Sequence, residues 1–215
     1  LGRRGEDVAA GARLLPAGRR LRPQDLGLAA ALGLGRLLVY RRPRVAIIAT
    51  GDEIVPVEGP LPLGKMRDAN SSAVGAQVTA MGGDPWLLGI VPDDFAALRG
   101  KLAIAQAGAD LILLSGGSSV GTRDLTLAVL NSFPEVAILV HGVAISPGKP
   151  TILARLGPKP VLGLPGHPVS ALMIMEVFGR PLLARLTGLT GGGPTWGRSV
   201  TATLSRNLVS SPGRE

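Results

Sequence analysis

The sequence predicts an α/β protein: a three-layer, mostly parallel sheet with helices on both faces, flanked by a small N-terminal segment and the start of a C-terminal β domain. Three observations point there. From Arg44 onward, short apolar runs alternate with longer stretches of helical spacing, the pattern of strand–helix–strand units. The short runs are apolar throughout rather than at every second residue, as strands covered on both faces are. Glycine and proline cluster at the joints between elements.

Taken in order, the first forty residues read as turns and short strands followed by one small helix. Pro23 stands at a first helical position, residues 24–32 form the helix, and Gly33 and Gly35 close it. Residues 37–40 are predicted as a short strand, and YRRPR as a linker broken by Pro43. RVAIIAT, residues 44–50, is a buried strand by its unbroken β-branched run. Residues 68–83 form a helix, with Ala73, Val74, Val78 and Met81 near helical spacing and Gly82 and Gly83 at its close. Residues 85–91 are a second strand. Residues 93–108 are a second helix, with Asp93 or Asp94 as cap and Gly108 as stop. Residues 109–115 are a third strand and residues 122–133 a third helix. Residues 136–145 are strand-like. Residues 151–157 and 159–166 form a hairpin turned near Gly157, and a long helix over 167–188 bends at Gly179 and Pro181. Beyond a glycine-rich joint, Val200, Ala202 and Leu204 alternate as a strand does and open a β-type unit. The predicted division is residues 1–41, the end of an N-terminal linker domain; 42–188, the α/β domain; and 189–215, the start of a C-terminal β domain.

Composition narrows the function. The 215 residues are 46% hydrophobic and only 3% aromatic, so the core is built of Leu, Val, Ile and Ala. No apolar run approaches the roughly 20 residues of a membrane-spanning helix, and no membrane association is expected. The polar start, LGRRGEDVAAG, predicts no secretory leader and, lacking methionine, a piece of a longer chain. The absence of cysteine excludes disulfides, thiol catalysis and cysteine-ligated metals, and suits the cytoplasm. The net charge of +8 is almost all arginine, with lysine only at positions 65, 101, 149 and 159. The arginines are scattered and no aromatics interleave with them, which argues for a small anionic ligand rather than nucleic acid.

Ligands of open parallel sheets bind outside the carboxyl ends of the strands. Four polar loops are predicted at such ends: TGDE (Thr50, Gly51, Asp52, Glu53), SGGSSVG (Ser115, Gly116, Gly117, Ser118, Ser119, Gly121), SPGKP (Ser146, Pro147, Gly148, Lys149, Pro150) and LPGHPVS (Pro165, Gly166, His167, Ser170). The glycines of the second loop let the backbone approach a ligand, and the free N–H groups of the following helix make an anion cradle. A plain strand-to-helix turn, capped by Thr122 and with Asp124 favouring the helix dipole, is the other reading. It is not a Walker loop, because the Gly-Lys-Ser/Thr ending is missing.

Asp124 in an anion loop calls for a cation. The helix end favours an anion by roughly 0.3–1 kcal/mol, whereas a carboxylate about 4 Å from a phosphate costs about 4 kcal/mol at an effective dielectric of 20. Mg²⁺ between them resolves the conflict, with Asp52 or Glu53 as second carboxylate. A solvated turn explains Asp52 and Glu53 equally well. Lys149, in a proline-fixed turn, is a candidate oxyanion contact, against a plain surface lysine. Ser170 and the N–H groups beside it could hold a second anion; His167 reads as a cap, and His141 as a structural residue of an apolar strand. Two separate histidines without cysteine argue against a zinc site. The residues alone therefore give two anion cradles, a lysine and Mg²⁺, and a reaction at phosphorus on a small phosphorylated substrate.

RVAIIATGDEIV, RDANSSAV, GIVPDD, LILLSGGSSVGTRD, ISPGKPTILARL and GLPGHPVSA, in this order, resemble the molybdopterin molybdenumtransferase family, which includes the C-terminal domain of gephyrin. RRGEDV and LPAGRRLRPQDLGLAAALG resemble the segment just before that family's catalytic domain, and residues 199–215 resemble the opening of its C-terminal β domain. The resemblance implies insertion of molybdate into adenylylated molybdopterin with Mg²⁺ and release of AMP, by a homodimer. It implies catalytic roles for Asp124, Glu53, Asp7 and Lys149, metal binding by Glu53 and Asp124, and molybdate contacts from Lys149, Pro150 and Ser170. It implies substrate contacts at Thr50, Gly51, Asp52, Asp68, Asn70, Ser115, Gly116, Gly117, Ser118, Ser119, Gly121, Pro147, Gly148, Pro150, Pro165, Gly166 and Ser170; Arg214 matches an arginine of the C-terminal domain. The chain departs from the family at Ser118, where a hydrophobic residue is usual, and at Ser146, where a second lysine is. It departs also at His167, usually Asn, and at Ala69, usually a hydroxyl residue. Two rival readings are adenylylation of molybdopterin, carried by a relative of the same fold, and a non-catalytic scaffold.

Overall fold

The computed structural model describes residues 3, 5–116, 120–189, 201, 203, 205 and 206, and for 120–124 the backbone alone. Proline at the first turn starts α1 (Pro23–Ala31), and buried Asp25 anchors it. Its carboxylate accepts from the Arg22 backbone N–H at 2.9 Å and pairs with the Arg19 guanidinium at 2.6 Å.

The apolar run at Arg44 becomes β1 (Arg44–Thr50). β2 (Ile54–Val55) and β3 (Met66–Arg67) form a separate two-stranded parallel ribbon. The chain continues through α2 (Ala69–Ala80), β4 (Asp84–Val91), α3 (Phe95–Gly108), β5 (Leu111–Gly116) and α4 (Val120–Asn131). It then runs through β6 (Val136–His141), β7 (Ile152–Leu156), β8 (Lys159–Leu164), α5 (Pro168–Ile174) and α6 (Arg180–Leu186). The six-stranded sheet has the order β4-β1-β5-β8-β7-β6. β4, β1, β5 and β8 are parallel, while β7 runs antiparallel to both β8 and β6. Five of the six strands therefore share one direction, as the alternating pattern predicts.

The unbroken apolar strands are explained by the two cores. Ala46 and Ile48 of β1, with Ile112 and Leu114 of β5, face Leu98 and Leu102 of α3 and Val129 and Leu130 of α4. The intervening Val45 and Ile47, with Leu111 and Leu113, face Val74 and Val78 of α2 and Ile174 and Leu183 of α5 and α6. Each strand residue thus contributes to one core or the other. Burial of each of the Val, Leu and Ile side chains among them stabilises the fold by about 1.5–3 kcal/mol.

Capping is also legible. Asp68 Oδ1 accepts from the Ser71 backbone N–H at 2.9 Å and starts α2, and Asp94 Oδ1 accepts from Ala97 N–H at 2.8 Å and starts α3. Of the two acids offered for α3, Asp94 is the cap. The closing helix is interrupted by a π-helical turn, Met175–Gly179, between α5 and α6. The distortion begins a turn before the predicted bend.

Two expectations are corrected. Residues 37–40 are not a strand: they carry no regular structure, and Leu38, Val39 and Tyr40 are exposed. A β-branched, aromatic run forms a strand only where a neighbouring strand accepts its hydrogen bonds. The helix predicted from Thr122 begins at Val120. The predicted β unit over 199–215 lies almost wholly outside the described residues.

Candidate active site

β1 is the point where the strand order reverses. The chain leaves it for β4 on one side and returns to β5 on the other, opening a crevice at the carboxyl ends of β1 and β5. A cleft of about 80 Å³ lies there. Its lining brings together Thr50 and Glu53 after β1, Ser115 and Gly116 at the end of β5, Gly166 after β8, and Asp68 and Asn70 at the start of α2.

The cleft is tightly built. Thr50 and Ser115 are buried, and Gly116 has φ +146°, a conformation open to glycine. A Cβ at Gly116 would fall on the Thr50 carbonyl oxygen, so this glycine permits the close approach of β5 to β1 at the rim. Asn70 Nδ2 donates to Ser115 Oγ and to the Gly166 carbonyl, both at 2.8 Å. The carbonyl can only accept, which fixes which end of the amide faces it. One side chain of α2 thereby ties the loops after β5 and β8 together.

The carboxylates cluster after β1. The Glu53 carboxylate folds back over Gly51, where a Cβ would lie 2.7 Å from Glu53 Oε2. Asp52 Oδ1 accepts from the Asp93 backbone N–H at 3.0 Å, and the Asp52 carbonyl accepts from Lys65 Nζ at 2.8 Å. Burial pushes the Asp93 carboxyl above its ordinary pKa; a backbone hydrogen bond from Asp52 opposes this, and the charges of Asp52 and Glu53 raise it further. Asp52, Glu53 and Asp93 thus gather at the rim after β1 and β4, with the Lys65 ammonium alongside. No group of three His, Asp or Glu near enough to hold a metal occurs among the described residues.

The SPGKP turn begins five residues after β6 ends. Gly148 is buried against Ile174, while Lys149 is exposed and its carbonyl accepts from Val143 N–H at 2.9 Å. Pro150 lines a smaller cavity that shares Thr50 and Gly116 with the cleft. Pro165 and Ser170 are buried, Ser170 in the first turn of α5. His167 is the N-cap of α5 by backbone conformation, without a side-chain cap bond. His141 ends β6 and is exposed. Asp7 is exposed in a bend of the N-terminal segment and does not line the cleft. Gly117, Ser118 and Ser119 lie outside the described residues, as do the side chains of residues 120–124, Asp124 among them.

Two residues escaped the sequence reading. Arg67 lines the cleft while its guanidinium donates to the carbonyls of Val57 at 2.5 Å and Gly59 at 2.9 Å, clasping the turn between β2 and β3. Its signal was its place immediately before Asp68 in RDANSSAV. Asp93 was read only as a rival cap. Two adjacent acids where one cap suffices was the signal for a second task.

Residues 46–185 match the family model described as "Probable molybdopterin binding domain". The chain belongs to this family. The molybdopterin-binding domain so delimited runs from β1 into α6 and contains the cleft and, Val45 apart, the buried residues of both cores, while α1 precedes it. The chain is 40% identical over 186 residues to the molybdopterin molybdenumtransferase of Nostoc sp., covering 85% of this chain and 42% of that protein. It is 39% identical over 184 residues to that of Haemophilus influenzae, covering 86% and 45%. A crystal structure of a molybdopterin biosynthesis protein from Pyrococcus horikoshii matches with TM-score 0.78 and 37% identity, over 87% of this chain and 46% of that one. The chain thus spans less than half the length of these relatives.

Proposed function

We propose that this chain carries the catalytic domain of a molybdenum insertase, which transfers molybdate into adenylylated molybdopterin and releases AMP. The observation that carries the reading is the cleft at the switch point, lined by Thr50, Ser115, Gly116, Asn70 and Gly166 together with Glu53. Relatives bearing the name molybdopterin molybdenumtransferase support it.

In this reading the rim of β1, β5 and β8 seats the phosphate-bearing substrate, with Asn70 holding two of the three loops in register. The start of α4 offers backbone N–H groups to the pyrophosphate. Lys149, Pro150 and Ser170 receive molybdate, Lys149 supplying the positive charge. Mg²⁺ fits the hard carboxylate oxygens gathered after β1 and β4; Glu53 and Asp124 would hold it. When bound, it neutralises phosphate charge beside those carboxylates. Asp7 acts as a further carboxylate, in a cytoplasmic homodimer. The domain division at residues 41 and 188 belongs to the same reading.

The test is AMP release from adenylylated molybdopterin by the full chain, with molybdate and Mg²⁺ each omitted in turn. Release that needs both supports the assignment. Failure to bind either molybdate or the adenylylated substrate sinks it. Consumption of ATP with molybdopterin, independent of molybdate, would assign the preceding adenylylation instead.

A further inference from the structure

The cleft offers an anionic substrate little positive charge. Among the described residues that line it, Arg67 is the only lysine or arginine, beside two carboxylates, Glu53 and Asp68. Lys149, the cation proposed for molybdate, is not part of this lining. Among the described lining residues, an anion in the cleft therefore meets side-chain positive charge at Arg67 alone.

Arg67 is held at both ends. Its backbone closes β3, directly before Asp68, whose carboxylate caps α2. On either side of it the chain is bonded to the segment that carries Glu53. The Met66 N–H donates to the Glu53 carbonyl at 2.8 Å, and the Asp68 N–H to the Val55 carbonyl at 2.9 Å. The guanidinium is held as well. Nη1 donates to the Val57 carbonyl at 2.5 Å and to the Pro56 carbonyl at 3.4 Å, and Nη2 to the Gly59 carbonyl at 2.9 Å.

A clasp on the turn would explain those three bonds, but two features exceed it. Carbonyls are neutral and cancel no charge. Among the described residues Arg67 forms no ion pair, whereas Arg19, Arg22, Arg41 and Arg180 each meet a carboxylate. A guanidinium also has five N–H donors, and Nε–H of Arg67 has no acceptor among the described residues. The side chain is exposed, so a ligand can reach it. An arginine that is already ordered, still charged and left with a donor is prearranged for an oxyanion, because little further side-chain freedom is lost on binding.

We propose that Arg67 is a substrate-binding residue that donates to a phosphate oxygen of the ligand in the cleft, and not to molybdate. The proposal rests on the reading of this cleft as the seat of adenylylated molybdopterin. A charge-assisted hydrogen bond to phosphate is among the stronger polar contacts available to a partly exposed site.

Two variants of the full chain separate charge from clasp. Arg67→Gln keeps a donor for the turn and removes the charge; Arg67→Lys keeps the charge and removes the fork. Each is titrated calorimetrically with adenylylated molybdopterin, with pyrophosphate and with molybdate, at fixed Mg²⁺. Arg67→Gln should weaken the first two at least about tenfold and leave molybdate within about twofold of wild type. Arg67→Lys should fall between wild type and Arg67→Gln, and added salt should narrow the gap between those two. Equal losses in both variants with a gap that salt does not change would reduce Arg67 to a clasp and overturn the proposal. So would unchanged binding of adenylylated molybdopterin by Arg67→Gln, or a loss confined to molybdate; in these cases the assigned reaction still stands. Pyrophosphate binding that needs Arg67, in a chain that does not bind adenylylated molybdopterin, would uphold the anion contact and sink the reaction. A wild-type chain that binds neither sinks both.

Discussion

Asn70 at the start of α2 donates a 2.8 Å hydrogen bond to Ser115 Oγ at the end of β5, joining residues 45 apart in sequence. The same Nδ2 holds the Gly166 carbonyl at 2.8 Å. Both partners are rim groups, so Asn70 sets the spacing of two loops at once. Asn70→Ala should lower unfolding stability by about 1–3 kcal/mol, the cost of leaving buried partners unsatisfied. Asn70→Asp should do at least as much damage, because it turns an acceptor toward a carbonyl. Urea unfolding measures both, and wild-type stability in Asn70→Ala would remove the tie from the account.

Gly116 and Thr50 give a second prediction. With φ at +146° and the Thr50 carbonyl where a Cβ would stand, Gly116→Ala must push β5 away from β1 at the rim. Destabilisation by more than about 2 kcal/mol is expected. Gly100→Ala, in a helix with open space around the position, is the control and should be neutral or stabilising. Equal thermal midpoints for the two variants would contradict this.

Much of this fold was readable because its signals are local. An apolar run in β1 with no polar face announces a strand between two helical layers, and Asp94 ahead of α3 announces its own cap. The SGGSSVG and LPGHPVS loops could be placed on one rim because parallel strands end there. What escaped depends on tertiary partners. Residues 37–40 have strand composition but no adjacent strand among the described residues, so propensity alone misled. The π-helical turn arises within a helix whose sequence is ordinary, though Gly179 is where the Met175 side chain finds room. Arg67 and Asp93 acquire their places only when the β2–β3 excursion and the β4 end fold over the β1 loop.

Lys149 and Glu53 separate two contributions to the proposed reaction. Lys149 is exposed, so Lys149→Ala should leave unfolding within about 0.5 kcal/mol of wild type. Loss of a charge-assisted contact should raise the KM for molybdate about tenfold or more. Glu53→Gln should instead raise the Mg²⁺ concentration needed for half-maximal AMP release and lower kcat. Steady-state kinetics with molybdate and Mg²⁺ varied independently decide the matter. Equal effects of both substitutions on both dependences would dissolve the division of roles.

Asp110 fastens the linker to the sheet and carries a pH prediction. Its carboxylate takes both ends of the Arg41 guanidinium at 2.6 Å and the Arg44 backbone N–H at 2.7 Å. The hydrogen bonds from Arg41 are the main reason its pKa lies below the usual carboxylate value, against a smaller opposing effect of burial. In the unfolded chain it titrates near about 3.9. A lowered folded pKa means its stabilising contribution is fully present above that value and is lost as pH falls through the folded one. Urea midpoints measured from about pH 5 downward should therefore fall less steeply in Asp110→Asn than in wild type, from a lower starting stability. Arg41 is largely exposed, so added salt should narrow the difference between the two proteins at pH 5. Parallel acid slopes in the two proteins would show that Asp110 contributes nothing to acid sensitivity.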